Sequence, residues 1–400
     1  HEAFYDELYA IDYNVIFLLI SMMIIVDILK KTGIFQFIAI KSAKLAKGKP
    51  FTILVFFACI TAFASALLDN VTTVLLIVPV ALFIAEELEL DPFPFMISEI
   101  MACNIGGTAT LIGDPPNIMI ASKVQLTFMD FIYHLTPAVL FIFAGFILTT
   151  KLIFGKKLHV KEEVRLKILA MDEYALIKDK DLLIKSLSVL GLVMLGFVFH
   201  GMFHYEPATI ALFGAAVLLI ISKEDVHHVL RELEWPTLFF FMGLFIIVGG
   251  VVKVGLISKL SEGLITLTKP TAGSMFTLSV VMLWFSAIGS SIVDNIPFVA
   301  SMIPLVKDTA VAVLPGGWDL KPLLQHATLM PVWWSLALGT CLGGNGTPIG
   351  ASANVITIGL AGKAGYPITF RKFLLYSIPI TLETLVLSTV YIVFRYYVFA

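Results

Sequence analysis

Charge is scarce in this sequence. Only 14% of its 400 residues are Asp, Glu, Lys or Arg, while 58% are hydrophobic. Soluble globular domains carry about 25% charged residues, so a water-soluble fold is excluded. Cysteine is scarcer still, with Cys59, Cys103 and Cys341 scattered through apolar runs. An odd, unclustered set gives no disulfide framework. The three read as small buried side chains, with a soft-ligand role toward a metalloid as the alternative. Excess basic charge is also missing: the net charge is −2 and no Lys/Arg stripe occurs, which removes nucleic acid from the candidate partners.

Two catalytic signatures fail as well. The glycine runs lack the Lys-Ser/Thr pair that completes a nucleotide-binding P-loop, so the chain carries no motor of a primary pump. "LIGD" has Leu111 where the glycine-x-glycine-aspartate signature of intramembrane proteases needs its first glycine. His200 and His204 have i, i+4 spacing but stand at a helix end without a third ligand, which fits interfacial histidines better than a metal site. No enzyme, resident metal or cofactor is expected. The chain opens with His1 and shows no signal peptide.

What is present is a series of apolar runs about 17 to 25 residues long, the length a helix needs to cross a hydrocarbon layer of about 30 Å. Barrel strands would be short and alternating. The expected class is an all-α, multi-pass integral membrane protein whose partner is the lipid bilayer, placed in the cell (inner) membrane.

The chain is written twice. "IDYNVIFLLISMMIIVDILKKTG" (11–33) aligns without gaps on "LEWPTLFFFMGLFIIVGGVVKVG" (233–255), at an offset of 222. "LLDNVTTVLLIVP" aligns on "IVDNIPFVASMIP" at 225, pairing Asp69 with Asp294 and Asn70 with Asn295. "IGGTATLIGDPPNIMI" aligns on "LGGNGTPIGASANVIT" at 237, pairing Gly113 with Gly350 and Asn117 with Asn354. Three blocks in one order at near-constant spacing indicate a duplicated unit. The expected division is a first repeat at 1–155, a cytoplasmic linker at 156–182 and a second repeat at 183–400. Apolar segments at 183–201 and 207–222 precede the second unit's first block and have no counterpart in the first, so two further helices are expected upstream of His1.

Lysines crowd 30–49, and nine Lys or Arg lie between Lys151 and Lys185, which assigns both segments to the cytoplasm. Counting crossings from there, the two units enter the membrane from opposite sides, as inverted repeats. Each unit has an amphipathic segment, 32–46 and 255–268, suited to the membrane interface or to a solvated connector. Each then has an apolar hairpin, 51–86 and 273–312, with Asp-Asn at its tip. The tips hold no lysine or aromatic belt, so re-entrant hairpins are favoured over full crossings. A helix interrupted by a glycine-rich loop follows, at 94–123 and 322–362.

A carboxylate deep in a bilayer costs about 2.5–3.5 kcal/mol on insertion scales, and such acids usually face a wet cavity. Asp69 and Asp294 meet that description, and Asp114 in "GDPPN" is a third candidate. Helix capping is the alternative role. The two readings overlap, because a helix that begins inside the membrane aims free amides at whatever lies beyond it. One glycine-rich loop is weak evidence. A matched pair of interrupted helices is the better pointer to a transporter's binding site.

"LLDNVTTVLLIVPV", "NIGGTATLIGDPPN" and "TCLGGNGTPIGASANV" resemble the ion transporter superfamily, and within it the arsenical pump membrane protein and sodium/proton antiporter D group, nearest the branch of the melanosomal P protein. The resemblance covers about residues 11–376. It implies a scaffold domain that forms a homodimer, a transport domain that moves as an elevator, and arms at 32–46 and 255–268. By motif position it implies a first half-site of Asp69, Asn70, Thr72, Thr73, Gly107, Thr108, Asp114 and Asn117. The second would be Asp294, Asn295, Asn345, Thr347, Ser352 and Asn354. Ala351 replaces Asp114 in the second unit, so the half-sites differ in charge.

The expected function is secondary active ion transport driven by a sodium or proton gradient, with Asp69 and Asp294 as coupling carboxylates that can hold transient sodium. Sodium/proton exchange and arsenite or antimonite efflux stand level as the transported chemistry. Neutral arsenite would be held by hydroxyls and amides such as Thr72, Thr108, Thr347 and Asn354. An anion channel, or an anion or carboxylate transporter of the same superfamily, is the rival; acids at both tips count against a multiply charged carboxylate.

Overall fold

The computed structural model describes residues 11–170, 172–203, 205–314 and 320–399. Among them the regular structure is helical and no β-strand forms. Among the described residues eight helices are long and apolar enough to cross a membrane. Large apolar side chains such as Leu152, Ile184, Phe213, Phe239 and Leu375 stand exposed along five of these and neighbouring helices. An exposed apolar girdle of that extent is what a protein presents to acyl chains.

The chain begins with α1 (Tyr13–Lys31), capped by Asp12, whose carboxylate accepts from the Asn14 and Val15 amides at 3.2 and 3.4 Å. Gly33, at φ +82°, turns the chain into the shorter α2 (Ile34–Leu45). Proline at the first helical position opens α3 (Pro50–Leu67), which suits proline because the first N–H is unpaired anyway. After two extended residues, α4 (Asn70–Glu87) runs back. Next come α5 (Phe93–Gly107), a turn-rich loop, and α6 (Pro115–Val124). A capping box between Thr127 and Asp130 starts α7 (Phe128–His134), followed by α8 (Thr136–Phe154).

After the connecting helix α9 (Glu162–Leu169) come α10 (Lys180–Phe203) and α11 (Pro207–Ser222), packed on each other and on α1. The short α12 (Val226–Glu232) leads into α13 (Trp235–Lys253) and α14 (Leu256–Thr268). Then α15 (Phe276–Ile292) and α16 (Asn295–Val313) form the second pair of helices broken at Asp-Asn. A short α17 (Leu320–Leu324), α18 (Met330–Gly343), α19 (Ser352–Lys363) and α20 (Phe370–Val393) complete the fold.

Turns separate α17 from α18. Residues 325–329 form turns, with the Leu329 amide on His326 O at 2.8 Å and Trp333 Nε1 on Leu324 O at 3.0 Å. Pro331 in the first turn then sets the start of α18. Cys103 and Cys341 are buried, whereas Cys59 is exposed on the outer face of α3. His200 has both ring nitrogens on backbone groups, 3.0 Å from the Phe128 amide and 3.2 Å from Tyr205 O. His204 lies outside the described residues.

The centre of the protein is built on α5 and α18. Every residue of α5 is buried, as is α18 from Pro331 onward; helices apolar on all sides belong in the interior. Glycine lets each approach its neighbour closely. A Cβ on Gly106 would lie 2.2 Å from Ala62 O on α3, and one on Gly343 would lie 2.5 Å from Ala287 O on α15. Small residues at such contacts allow helix backbones to touch.

The segment between α9 and α10 straps onto α2. Glu173 accepts from Lys41 at 3.1 Å and from Lys44, and the Lys178 amide donates to Thr32 O at 2.9 Å. A Cβ at Gly33 would fall 2.0 Å from Leu176 O, whereas Gly255, 222 residues later, has no neighbour within 4 Å. Hydrogen bonds from Lys44, from the backbone and from Lys41 lower the Glu173 carboxyl from 4.5 to about 2. A depressed carboxylate supports the folded state above its ordinary value and loses that support as pH falls through the depressed one. The strap's ion pairs should therefore hold at full strength above pH 4.5 and fade toward pH 2. Glu173→Gln should raise hydrogen exchange at the Lys178 amide severalfold with unchanged helix content. Unaltered exchange would mean that the backbone contacts alone hold the strap.

Candidate functional site

Asp69 and Asp294 occupy the same local position, the residue before a helix whose first residue is buried, with Asp69 itself buried and Asp294 half-buried. Asp69 Oδ1 accepts from the Thr72 amide at 2.9 Å, and its second oxygen takes the Thr72 hydroxyl. Asp294 Oδ1 accepts from the Ile296 amide at 3.1 Å, and Oδ2 takes the Ser352 hydroxyl at 3.0 Å. Both are caps. Capping uses only part of a carboxylate's acceptor capacity. Asp114 precedes α6 but caps nothing with its side chain. Its two oxygens instead lie 3.1 and 3.3 Å from Asn295 Nδ2, so an acid of the first unit is held by the tip amide of the second.

Asp69 and Asp114 face a small open cleft, which Asp294 reaches only through its bond to Ser352. Asp69, Asn70, Asp114, Asn295 and Ser352 line it, together with Leu19 and Met23 of α1 and Thr237 and Phe241 of α13. No lysine, arginine or histidine is among the lining residues. The N-termini of α4, α6, α16 and α19 all meet at this wall, each placing partial positive charge near the acids.

Behind the cleft lies a network of amides. Asn104 Nδ2 donates to Asn345 Oδ1 at 2.8 Å and to Asn354 Oδ1 at 3.1 Å, and Asn104 Oδ1 accepts from Asn70 Nδ2 at 3.3 Å. Asn70 Oδ1 in turn accepts from the Ser65 hydroxyl. One residue of α5 thus ties the first tip to α19 and to the turn that precedes it.

Several of the remaining sequence-derived candidates hold the loops. Asn117 Nδ2 donates to Thr108 O at 3.1 Å and Thr110 O at 2.8 Å; in the second unit Asn354 Nδ2 donates to Gly344 O at 2.7 Å and Thr347 O at 2.9 Å. Thr347 Oγ1 donates to Ser291 O at 2.6 Å and Thr108 Oγ1 to Asn104 O at 2.7 Å. Thr72 is committed to Asp69. The Thr73 hydroxyl is buried without a partner, away from the cleft lining. At Gly107 a Cβ would lie 2.4 Å from Asn70 Oδ1, so the absence of a side chain admits the tip.

Asn104, Ser65, Leu19 and Thr237 did not figure among the sequence-derived candidates. Asn104 has Cys341 at its repeat position, so pairing the two units gives no signal for it. A polar residue inside the "MACNIGG" run was the available clue. Among the described residues no group of three His, Cys, Asp or Glu side chains could hold a metal ion.

Residues 5–339 match the citrate transporter family. An uncharacterized transporter of Mycobacterium tuberculosis is 44% identical over 398 residues, covering all of this chain and 90% of that protein. The P protein of Mus musculus is 32% identical over 462 residues, covering 97% of this chain and 54% of the P protein. The solved YdaH transporter of Alcanivorax borkumensis aligns with a TM-score of 0.48 at 16% identity, covering 94% of this chain and 85% of that one. With apolar helices enough for several crossings, buried acids around a cleft and a family match over most of its length, the chain is an integral membrane transporter and belongs to the citrate transporter family.

Proposed function

We propose that this protein is a secondary active ion transporter whose cleft binds the driving cation, sodium or a proton. One observation carries the reading: the ionisable groups lining the cleft are acids, and no cationic side chain accompanies them. A polar site of this kind at membrane depth favours a bound cation over an empty state. Asp69 in the lining, and Asp294 bonded to the lining residue Ser352, are the coupling carboxylates, and Asp114 gives the first half-site an extra charge. Sodium/proton exchange needs nothing more, and neutral arsenite or antimonite would be held by the surrounding hydroxyls and amides.

A second reading has its own support. The family match is to citrate transporters, and four helix N-termini face the cleft, an arrangement that favours anions. A carboxylate substrate would have to arrive with its charge offset by a bound cation or proton, because Asp69 and Asp114 would otherwise repel it.

We further infer that 1–155 and 183–400 are inverted repeats joined by the linker 156–182, with re-entrant hairpins at α3–α4 and α15–α16. Matched contacts support the duplication: Gly106 on Ala62 with Gly343 on Ala287, and Ser65 Oγ on Cys103 O at 2.8 Å with Ser290 Oγ on Thr340 O at 2.6 Å. In this scheme α2 and α14 are arms between a dimerising scaffold and an elevator-like transport domain.

The test is flux in proteoliposomes of the purified protein, with sodium, protons, arsenite and citrate offered in turn under imposed sodium or pH gradients. Uphill movement of one solute driven by another is the expected result. Purely passive flux would reassign the protein as a channel.

A further inference from the structure

Glu99 lies outside the cleft and takes no part in the contacts described above. It sits midway along α5 with none of its surface exposed. Oε2 accepts from the Thr61 hydroxyl of α3, and Oε1 has no partner. An ionised carboxylate in an apolar interior requires several donors or a cation, and a single hydroxyl does not meet that need.

The helices packed on α5 supply neither. α3 and α18 carry no charged residue. α4 has Glu86 and Glu87 at its far end, α8 has Lys151 in its last turn, and α19 has Lys363 at its end. α20 has Arg371 and Lys372 in its first turn and Glu383 farther along. Among the described residues, none of these charges forms an ion pair or hydrogen bond with Glu99; its polar partner is Thr61.

Glu99 and Cys103 are one turn apart on the same face of α5. Cys103 Sγ lies 3.4 Å from both Ser65 Oγ and Asn70 O, and Asn70 lines the cleft. Glu99 therefore stands about one helical turn behind the cleft wall, on the helix whose Asn104 joins the two tips. Neither placement of a proton satisfies all its atoms. On Oε1, the O–H would have no acceptor; on Oε2, turned toward Thr61, it would leave Oε1 without a donor. The open position on Oε1 is where a water would bind once the helices around it part.

We propose that Glu99 is a proton-carrying site of the transport cycle, protonated in the conformation described here and exchanging that proton with cleft water in another. This rests on the gradient-coupled reading and adds a proton site outside the cleft. In the exchange the carboxyl gives its proton to water, leaving a carboxylate, and regains it by the reverse step.

The test uses liposomes holding the purified protein and a pH-sensitive dye, with an inward gradient of sodium chloride as the probe. Wild-type protein should make the lumen alkaline as protons leave. Glu99→Gln should slow that movement about 100-fold or more while still binding radiolabelled sodium, and Glu99→Asp should retain a measurable part. Sodium binding by Glu99→Gln, with the graded response of Glu99→Asp, separates loss of the proton site from loss of fold. In infrared difference spectra, the Glu99→Gln variant should lack a protonated-carboxyl band that shifts in heavy water. Proton movement by Glu99→Gln at the wild-type rate overturns the proposal and leaves coupling intact, as does loss of an ionised carboxylate band in its place. A wild-type protein that moves no protons under the sodium gradient, while sodium crosses passively, overturns the coupled reading and the proposal with it.

Discussion

Asp294→Asn should lower gradient-driven transport to below about one hundredth of the wild-type rate, equivalent to about 2.7 kcal/mol, while the protein stays folded. Asparagine keeps an oxygen where Asp294 Oδ1 takes the Ile296 amide at 3.1 Å, so α16 remains capped. What the substitution removes is the negative charge that holds the hydroxyl of Ser352, a residue of the cleft lining. A residue acting only as a cap would tolerate the change; a residue that binds the driving cation would not. Uptake in proteoliposomes under an imposed sodium or pH gradient, alongside thermal unfolding of the same preparations, separates the two. Normal gradient-driven uptake by the variant would reduce Asp294 to a structural role.

The second large effect should come from Asn104→Ala. That change leaves the Asn70 amide without its acceptor and the Asn345 and Asn354 side-chain oxygens without their donor. All three residues are buried, and each orphaned polar group costs about 1–3 kcal/mol. The expected loss is about 3–5 kcal/mol once partial rearrangement is allowed for, enough to lower the unfolding temperature by many degrees. Transport should fall with it, because Asn104 fixes the first tip against the second interrupted segment. Asn104→Asp is the informative companion. It keeps an acceptor for Asn70 but turns a carboxylate oxygen toward two amide oxygens, so it should destabilise the protein as well. A stable, active Asn104→Ala protein would show that the two half-sites do not depend on this bridge.

Much of the site was legible in the chain because it is written twice. A duplicated Asp-Asn inside apolar sequence is conspicuous by itself, and its partner copy turns an oddity into a position. Asp69, Asn70, Asn295 and Ser352 all reach the cleft lining. Other motif residues turned inward: Asn117 and Asn354 donate to loop carbonyls, and Thr108 and Thr347 to carbonyls at the ends of α5 and α15. Motif position records that a residue is needed, and a loop that must be held still needs polar residues as much as a ligand does. Asn104 and Glu99 lacked any such cue. Both stand on the same largely apolar helix, and each has a different residue at its repeat position, Cys341 for Asn104 and Leu336 for Glu99.

The sequence alone determined that the chain is helical and lives in a bilayer, since long uncharged runs cannot satisfy their backbone in lipid any other way. It also located the breaks in those helices, because proline, glycine and Asp-Asn act on the backbone within a few residues of themselves. Which broken ends face one another was decided by tertiary structure alone. The Asn295 amide on Asp114, and Asn104 between Asn70, Asn345 and Asn354, join residues up to 250 positions apart. Such contacts depend on how whole helices pack, and no local pattern of residues encodes them.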